Sequence, residues 1–206
     1  MQQIQQAFPR LSQQQIEQFQ TMLNLYPKWN AVINVISRQD IDNLEIHHIL
    51  HSLLIAKFIQ FTPNTRVLDL GTGGGFPALP LAVMFPNVNF HLVDRIGKKL
   101  RVANDIATQT GLTNVTIQHG DVAEVKGTFH FVVSRAVMPL DETIPLIKRL
   151  IDKRQQNALP NGLICLKGGN LDAEIAATHR ECLVEPLSQY SPLPYFETKK
   201  IVYTAL

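Results

Sequence analysis

From Arg66 onward, short runs of β-branched residues alternate with amphipathic stretches. The strand candidates are residues 66–70, 88–94, 114–118, 129–134, 162–167 and 197–204. The helix candidates between them lie at about 77–85, 97–110, 139–151 and 171–181. Alternation of this kind predicts βαβ units with right-handed crossovers. We therefore expect a doubly wound α/β fold, in which helices cover both faces of a mostly parallel sheet.

The N-terminal segment lacks this alternation and has a helical pattern instead. Ser12 and Gln15 have the spacing of a capping box. Apolar residues then recur at helical intervals, at Ile16, Phe19 and Leu23. Pro27 is expected to end this first helix, and a second apolar helix is expected over about 44–61. The sequence thus predicts a helical cap in front of the sheet.

Length and composition favour one globular unit with a small addition. The chain has 206 residues, of which 45% are hydrophobic and 17% are charged, so it can form a core. We expect the cap over residues 1–62 and the sheet domain over 63–206. Lys and Arg number 19 against 17 Asp and Glu, so the net charge of +2 excludes a polybasic coat but allows a local basic patch.

Three sequence features bear on the cellular compartment. Cys165 and Cys182 are too few for a disulfide framework or a four-cysteine zinc site. No apolar run approaches the roughly 20 residues that span a bilayer. The start, MQQIQQAFPR, has no secretion signal pattern. The expectation is a cytoplasmic protein without a membrane partner.

A glycine-rich turn, DLGTGGGFP, follows the first predicted strand and opens a predicted helix. In a doubly wound sheet such a turn lies where nucleotides bind. A dinucleotide fingerprint G-x-G-x-x-G would need glycine at Phe76 or at Ala78, so the turn does not match it. Asp69 would oppose a pyrophosphate and suit a cationic ligand. S-adenosylmethionine, which carries a sulfonium and an ammonium group, fits this turn better.

Two further acidic positions follow the next strands. Asp94 ends the second strand, where a carboxylate commonly accepts hydrogen bonds from ribose hydroxyls. Asp121, Val122 and Ala123 follow the third strand, where an adenine ring would pack. Together with the glycine-rich turn, these positions predict a nucleoside site, to which Gly71 and Gly73 contribute backbone.

Seven stretches, in this order and spacing, resemble the RsmG (GidB) family of small-subunit rRNA guanine-N7 methyltransferases. They are KWN (28–30), NVISRQD (34–40), HHILHSL (47–53), DLGTGGGFPALPLAV (69–83), LVDRIGKKLRV (92–102), FVVSRA (131–136) and LPNGLICLKGG (159–169). Each is weak alone, but the set spans nearly the whole chain. The resemblance implies a seven-stranded Rossmann-like methyltransferase sheet.

The same resemblance implies the reaction and its site. The donor would be S-adenosylmethionine, and the acceptor would be N7 of a guanosine in 16S rRNA (position 527 in conventional rRNA numbering). The implied donor contacts are Gly71, Phe76, Val122, Ala123 and Arg135, with Asp94 at the ribose. Guanine N7 has a lone pair and no proton, so no catalytic acid or base is required. The target base must be unpaired or flipped, because N7 faces the narrow major groove of A-form RNA.

Other site chemistries have less support. An Asn/Asp-Pro-Pro-Tyr/Phe turn for amino methylation is replaced by Ser134, Arg135 and Ala136 after the fourth strand. The two cysteines are expected in or near the core, not as nucleophiles. His47 and His51 share a helical face, but HHILH is not the metal motif H-E-x-x-H. We expect no metal, and a polar helix face near the donor or the RNA.

The expected partner is 16S rRNA or a 30S ribosomal particle, and a monomer is the default expectation. The candidates for RNA binding are Arg38, Arg95, Lys98, Lys99, Arg101 and Lys167. A second basic cluster, Lys148, Arg149, Lys153 and Arg154, is diluted by an acid. A charge run of this kind is usually a solvated helix face, and this interpretation stays open for the second cluster and for the first, which is Arg95, Lys98, Lys99 and Arg101.

Three alternatives stay open at this stage. A methyltransferase of the same fold could act on a small molecule or a protein. A nicotinamide oxidoreductase is disfavoured by Phe76 and Asp69. A non-enzymatic regulator with a nucleoside site would be separated from an enzyme only by an activity measurement.

Overall fold

The computed structural model of the protein describes residues 1–135 and 137–206. Seven strands form one sheet in the order β3-β2-β1-β4-β5-β7-β6. The strands are β1 (Arg66–Leu70), β2 (Asn89–Asp94), β3 (Val115–His119), β4 (Phe131–Arg135), β5 (Gly162–Gly168), β6 (Leu183–Pro186) and β7 (Lys199–Ala205). The first five run parallel, whereas β7 is antiparallel to both β5 and β6. The order reverses beside β1, and this is the crevice where ligands of open α/β sheets bind.

Helices lie on both faces of the sheet. They are α1 (Gln2–Ala7), α2 (Gln13–Val32), α3 (His51–Leu53), α4 (Ile55–Phe58), α5 (Ala78–Met84), α6 (Gly97–Gln109), α7 (Leu140–Ile147) and α8 (Asp172–Ala177). A π-helical segment, Leu44–Leu50, leads into α3. No helix in the described ranges is both long and apolar enough to cross a membrane.

Successive residues of the strands point to opposite faces and build two cores. On one face, Val67, Phe131 and Ile164 pack with the N-terminal helices and with α5 and α6. On the other face, Leu68 and Val132 pack with α7. The cap therefore shares a continuous core with one face of the sheet. The boundary expected at residues 62/63 stays a prediction.

The doubly wound α/β fold expected from the sequence is confirmed, and six of its strands lie where the alternation predicts them. The seven strands implied by the resemblance are also present. The alternation did not locate β6, because its four residues are partly exposed and carry little apolar pattern.

The expectation that Pro27 ends the first helix is wrong. Helix α2 begins at a complete Ser12–Gln15 capping box and continues past Pro27 to Val32. Its last turns are fixed by tertiary contacts, since the Tyr26 hydroxyl donates to Gly74 O over 2.8 Å and Asn30 Oδ1 accepts from two loop amides. These contacts outweigh the local preference of proline to break a helix. The second predicted helix, at 44–61, is divided into the π-helical segment, α3 and α4.

Candidate active site

The glycine-rich turn brings bare backbone to the carboxyl end of β1. Gly71 and Gly73 have φ of +66° and +57°, a region that L side chains rarely adopt. A Cβ at Gly71 would lie 2.7 Å from Val137 Cγ2, so a side chain does not fit there. The amide of Gly73 donates to Asp94 Oδ2 over 2.8 Å. The turn is therefore attached to the end of β2.

Asp94 connects two loops through its two carboxylate oxygens. Besides Gly73, the amide of Ile96 donates to Oδ1 over 2.8 Å. The side chain is only partly buried and lines the cavity described below. Because each carboxylate oxygen has two lone pairs, Asp94 retains acceptor capacity towards the cavity.

Asp69 has a different role from the one its position suggested. Its side chain is fully buried, and Oδ2 accepts hydrogen bonds from Thr72 Oγ1 (2.7 Å) and from the amide of Ala78 (3.0 Å). Burial raises its pKa to about 7. The carboxylate holds the glycine-rich turn from inside and does not face a ligand, which corrects the argument that it selects a cationic one.

A cavity of about 580 Å³, here called the donor cavity, opens above the turn. Six predicted cofactor residues line it: Gly71, Gly73, Phe76, Asp94, Val122 and Arg135. The seventh, Ala123, does not line it and is exposed beside Val122. Apolar side chains such as Val35, Val137 and Leu146 complete the walls.

Arg149 supports the loop that carries Val122 and Ala123. Its Nη2 donates to the carbonyls of Val122 (2.9 Å) and Ala123 (2.7 Å), and its Nη1 donates to Val125 O over 3.2 Å. This arginine does not line the donor cavity but holds the loop that carries the lining residue Val122. The sequence placed it in a basic cluster for RNA, and no local pattern reveals its long-range contacts.

Arg135, at the end of β4, is held by the cap. Its guanidinium carbon lies 4.8 Å from the centroid of Phe76, and Nη2 donates to His48 Nδ1 over 3.1 Å. An arginine nitrogen only donates, so His48 Nδ1 accepts and the proton of this imidazole is on Nε2. His48 Nε2 then donates to Asp40 Oδ2 over 2.7 Å. Burial, followed by the charge of Arg135, lowers the pKa of His48 to about 4, so the imidazole is neutral at pH 7.

Asp40 is the end of this hydrogen-bonded relay, defined as Asp40–His48–Arg135. Its Oδ1 also accepts from His47 Nδ1 over 2.5 Å and from Asn43 Nδ2 over 3.1 Å. Partial burial opposes ionisation, but the hydrogen bonds from His47 and His48 together hold the pKa of Asp40 below its usual value. The histidine-rich helix thus positions Arg135, a connection that the sequence pattern did not show.

A second cavity of about 360 Å³, here called the histidine cavity, lies at the carboxyl ends of β4 and β5. Arg135 lines both cavities. The other lining residues are His47, His48, His51, Leu166, Lys167, Gly168, Tyr195 and Lys199. His47 stacks on Tyr195 with ring centroids 3.7 Å apart, and Lys199 Nζ lies 4.8 Å from the Tyr195 centroid.

The six RNA candidates occupy different environments. Arg95 and Lys99 line the donor cavity, whereas Arg38, Lys98 and Arg101 are exposed outside it. Lys167 is 11% exposed, and its Nζ donates to Glu174 Oε1 (2.6 Å) and to Met138 O (2.7 Å). The charge of Lys167 is thus neutralised inside the protein. In the second basic cluster, Lys148, Lys153 and Arg154 are exposed.

The cysteines lie where nucleophilic chemistry is disfavoured. Cys165 is inside β5, and burial raises the pKa of its thiol to about 12. Cys182 is partly buried, with Sγ 3.0 Å from Thr204 Oγ1. The sequence motif at Ser134–Ala136 is described up to Arg135, and Ala136 lies outside the described residues.

Comparison with known proteins finds similarity along almost the whole chain. The model of a family described as "GidB: rRNA small subunit methyltransferase G" matches residues 13–200. A Bacteroides thetaiotaomicron protein named "Ribosomal RNA small subunit methyltransferase G" is 56% identical over 199 residues, covering 97% of each chain. A Porphyromonas gingivalis protein of the same name is 54% identical over 204 residues, covering 98% of this chain and 92% of its own.

Solved structures of lower identity share the fold. A SAM-dependent methyltransferase from Aquifex aeolicus superimposes with a TM-score of 0.59 at 13% identity, covering 82% of this chain and 98% of that one. An MtNAS mutant in complex with S-adenosylmethionine also gives a TM-score of 0.59 at 13% identity, over 93% and 76%. At these identities the likeness establishes the Rossmann-like methyltransferase fold alone.

Proposed function

The chain belongs to the GidB family of rRNA small subunit methyltransferases, and we propose that it transfers a methyl group from S-adenosylmethionine to N7 of a guanosine in 16S rRNA. Membership makes it an S-adenosylmethionine-dependent rRNA methyltransferase. The observation that carries the proposal is the donor cavity, because it combines bare glycine backbone, the Asp94 carboxylate and the Arg135 guanidinium.

The residues present fit this donor. The cavity of about 580 Å³ lies within the range of small-molecule sites. Gly71 lines the cavity with backbone alone, and a side chain is excluded there because its Cβ would clash with Val137. In our proposal Asp94 accepts from the ribose hydroxyls, and Val122 packs against the adenine. Ala123 is exposed beside that wall, so its proposed contribution is limited to backbone at the rim.

Arg135 suits the opposite end of the donor. Its guanidinium forms no ion pair with a carboxylate among the described residues, although it is largely enclosed by Phe76, His48 and His47 O. An enclosed charge without a counterion is unfavourable, so an anionic group of a ligand would be stabilised there. We propose that Arg135 contacts the carboxylate of the donor's methionine part.

The donor supplies a methyl group activated by its sulfonium. Guanine N7 attacks with its own lone pair, so the chain needs to hold the base in line and to remove no proton. Such positioning is worth about 7–11 kcal/mol. Cys165 is not suited to a covalent route, because its thiol is buried and its pKa is about 12.

We propose that the RNA approaches over the rim of the donor cavity. Arg95 and Lys99 line the cavity, where Arg95 forms an ion pair with Asp121, and the exposed Lys98 and Arg101 extend the positive charge along α6. Arg38 follows the loop that contains Val35, another lining residue. A 16S rRNA or 30S substrate would place the reaction in the cytoplasm, where subunits are assembled. A monomer stays a prediction, which light scattering coupled to size-exclusion chromatography would test.

The experiment is transfer of labelled methyl from S-adenosylmethionine to total RNA, followed by mapping of the labelled base. We expect label at N7 of one guanosine in 16S rRNA. Naked rRNA and isolated 30S particles, offered in parallel, identify the form of the acceptor. Label on a protein or a small metabolite, with none on RNA, would reject the proposal in favour of the alternative acceptor classes.

A further inference from the structure

We propose that the histidine cavity binds a backbone phosphate of the acceptor RNA, with the Lys199 ammonium as its principal contact. The inference deepens the proposed function and rests on it. It assigns a ligand to the cavity next to the donor cavity, and it names Lys199 as the residue that contacts this ligand.

The position of the histidine cavity favours the acceptor. It lies at the carboxyl ends of β4 and β5, on the edge of the sheet where ligands of α/β proteins bind. It shares Arg135 with the donor cavity. An acceptor nucleotide must lie next to the donor for in-line transfer, so the strand that carries it passes this neighbouring cavity.

The charges of the lining residues favour an anion. Three cationic side chains, Arg135, Lys167 and Lys199, line the histidine cavity, and no Asp or Glu side chain of the described residues does. Glu174 neutralises Lys167 from outside the lining. Lys199 and Arg135 form no ion pair among those residues, so two positive charges face one cavity without a carboxylate.

His48 and His51, two histidines of the cavity, do not add to this charge at pH 7. The pKa of His48 is lowered to about 4, and that of His51 is lowered well below its usual value, in both cases first by burial and then by Arg135. These neutral imidazoles avoid further repulsion against a purine that becomes cationic on methylation. Lys199 is thus the cation best placed to contact a phosphate, while Arg135 remains with the donor.

Lys199 is held in place before any ligand binds. Its ammonium lies over the ring of Tyr195, which also stacks on His47 and packs edge-on against His51 and Phe196. The lysine side chain also lies beside Gly168 at the end of β5, where a Cβ would be at ordinary contact distance, 3.4 Å from Lys199 Cδ and 3.6 Å from Nζ. The cavity of about 360 Å³ has the volume of about a dozen water molecules, which is enough for a hydrated phosphate.

The test compares Lys199→Met with Lys200→Met. Lys200 is the next residue of β7, so its side chain points to the opposite face, where Nζ donates to Gly169 O over 2.9 Å. It therefore controls for the loss of one positive charge at the same place in the chain. Lys199→Arg, which keeps the charge, serves as the conservative variant.

We expect Lys199→Met to weaken binding of 16S rRNA roughly three- to tenfold and to reduce the slope of log K against log salt by about 0.7. Affinity for S-adenosylhomocysteine, measured by calorimetry, should stay within twofold of the wild type. Lys200→Met and Lys199→Arg should retain most of the RNA affinity and of the slope. Inorganic phosphate should raise the apparent KM for RNA in the wild type, and much less in Lys199→Met.

Three results would overturn the inference while the proposed function stands, provided that wild-type enzyme methylates 16S rRNA. The first is RNA binding by Lys199→Met with wild-type affinity and salt slope. The second is an equal loss in Lys200→Met, which would indicate a general charge effect. The third is competition of inorganic phosphate with S-adenosylhomocysteine in place of RNA, which would assign the anion site to the donor. Absence of rRNA methylation by the wild type would reject the function itself.

Discussion

The relay from Asp40 through His48 to Arg135 predicts that Asp40→Asn lowers the methyltransferase activity, although Asp40 lines neither cavity. In Asp40→Asn, one carboxylate oxygen becomes an amide nitrogen, which cannot accept a hydrogen bond. Asp40 accepts from both His47 and His48, so at least one of them loses its acceptor. If the amide nitrogen faces His48 Nε2, the imidazole must move its proton to Nδ1, where it opposes the Arg135 donor.

The magnitude follows from the hydrogen bond that is lost. A hydrogen bond to a charged group contributes about 1.5–3 kcal/mol. Asp40 is 33% exposed, so solvent screening reduces this to about 1–2 kcal/mol. Since each 1.36 kcal/mol is a factor of ten in rate, we expect kcat/KM to fall about 5- to 30-fold. The fold should persist, because Asp40 lies in a loop outside both cores.

The assay is steady-state methyl transfer to rRNA, combined with nitrogen NMR of the histidine tautomers. Asp42→Asn is the matched control, because Asp42 is an exposed acid two residues away. It should behave as the wild type in both measurements. A folded Asp40→Asn enzyme with unchanged kcat/KM, and with the His48 proton still on Nε2, would refute the reasoning that the relay positions Arg135.

Three more variants test other features of the structure. Asp94→Ala removes both the proposed ribose contact and the acceptor for the amides of Gly73 and Ile96, so donor affinity should fall by about 1.5–3 kcal/mol; calorimetry with unchanged affinity would remove Asp94 from the site. Asp69 has a pKa of about 7 in the folded protein, above the ordinary value of about 3.9, so folding favours its protonated form. The free energy of unfolding of the wild type should therefore fall as the pH rises from about 4 to about 7. Asp69→Asn should remove this fall, which is on the order of 3 kcal/mol between these limits. Denaturation curves at pH 5 and pH 8 give the free energy of unfolding at each pH, and a variant that shows the same change between them as the wild type would contradict the prediction. Replacement of both cysteines by alanine should leave methyl transfer within about threefold and lower stability by about 1–2 kcal/mol through the space left at Cys165; a folded double variant without turnover would indicate covalent catalysis.

Local patterns were sufficient for the sheet and for the first part of the site. Strand β1 lies at the predicted residues, and the glycine-rich turn follows it because a bare backbone is needed at that point. Asp94 ends β2, which parallel pairing with β1 places beside this turn. The carboxyl ends of neighbouring parallel strands meet at one edge, so residues that end strands are predictable as neighbours without knowledge of distant contacts.

Local patterns did not predict the direction of side chains or the hydrogen bonds that hold them. The position of Asp69 at the end of β1 was predicted, but its side chain points into the protein and bonds Thr72 and Ala78. Arg149 reads as a member of a basic cluster, yet its donors meet carbonyls more than twenty residues earlier in the chain. Helix α2 continues through Pro27, and the residue before this proline, Tyr26, bonds Gly74 of the glycine-rich turn. For Arg149 and for Tyr26 the deciding partner is distant in sequence, whereas for Asp69 the partners are near and the direction of the side chain decides.

The same reasoning applies to the relation of the cap to catalysis. Tyr26 of the cap donates to Gly74 O in the turn, and His48 accepts from Arg135 at the end of β4. A cut at the predicted boundary between residues 62 and 63 would therefore leave the turn without Tyr26 and Arg135 without its positioning partner. Arg135 is enclosed and has no carboxylate partner in the described part of the chain, so its direction depends on neutral acceptors supplied by the cap. The cap is thus part of the proposed active site, and changes in the histidine-rich helix should act on the donor and on the acceptor through this one guanidinium.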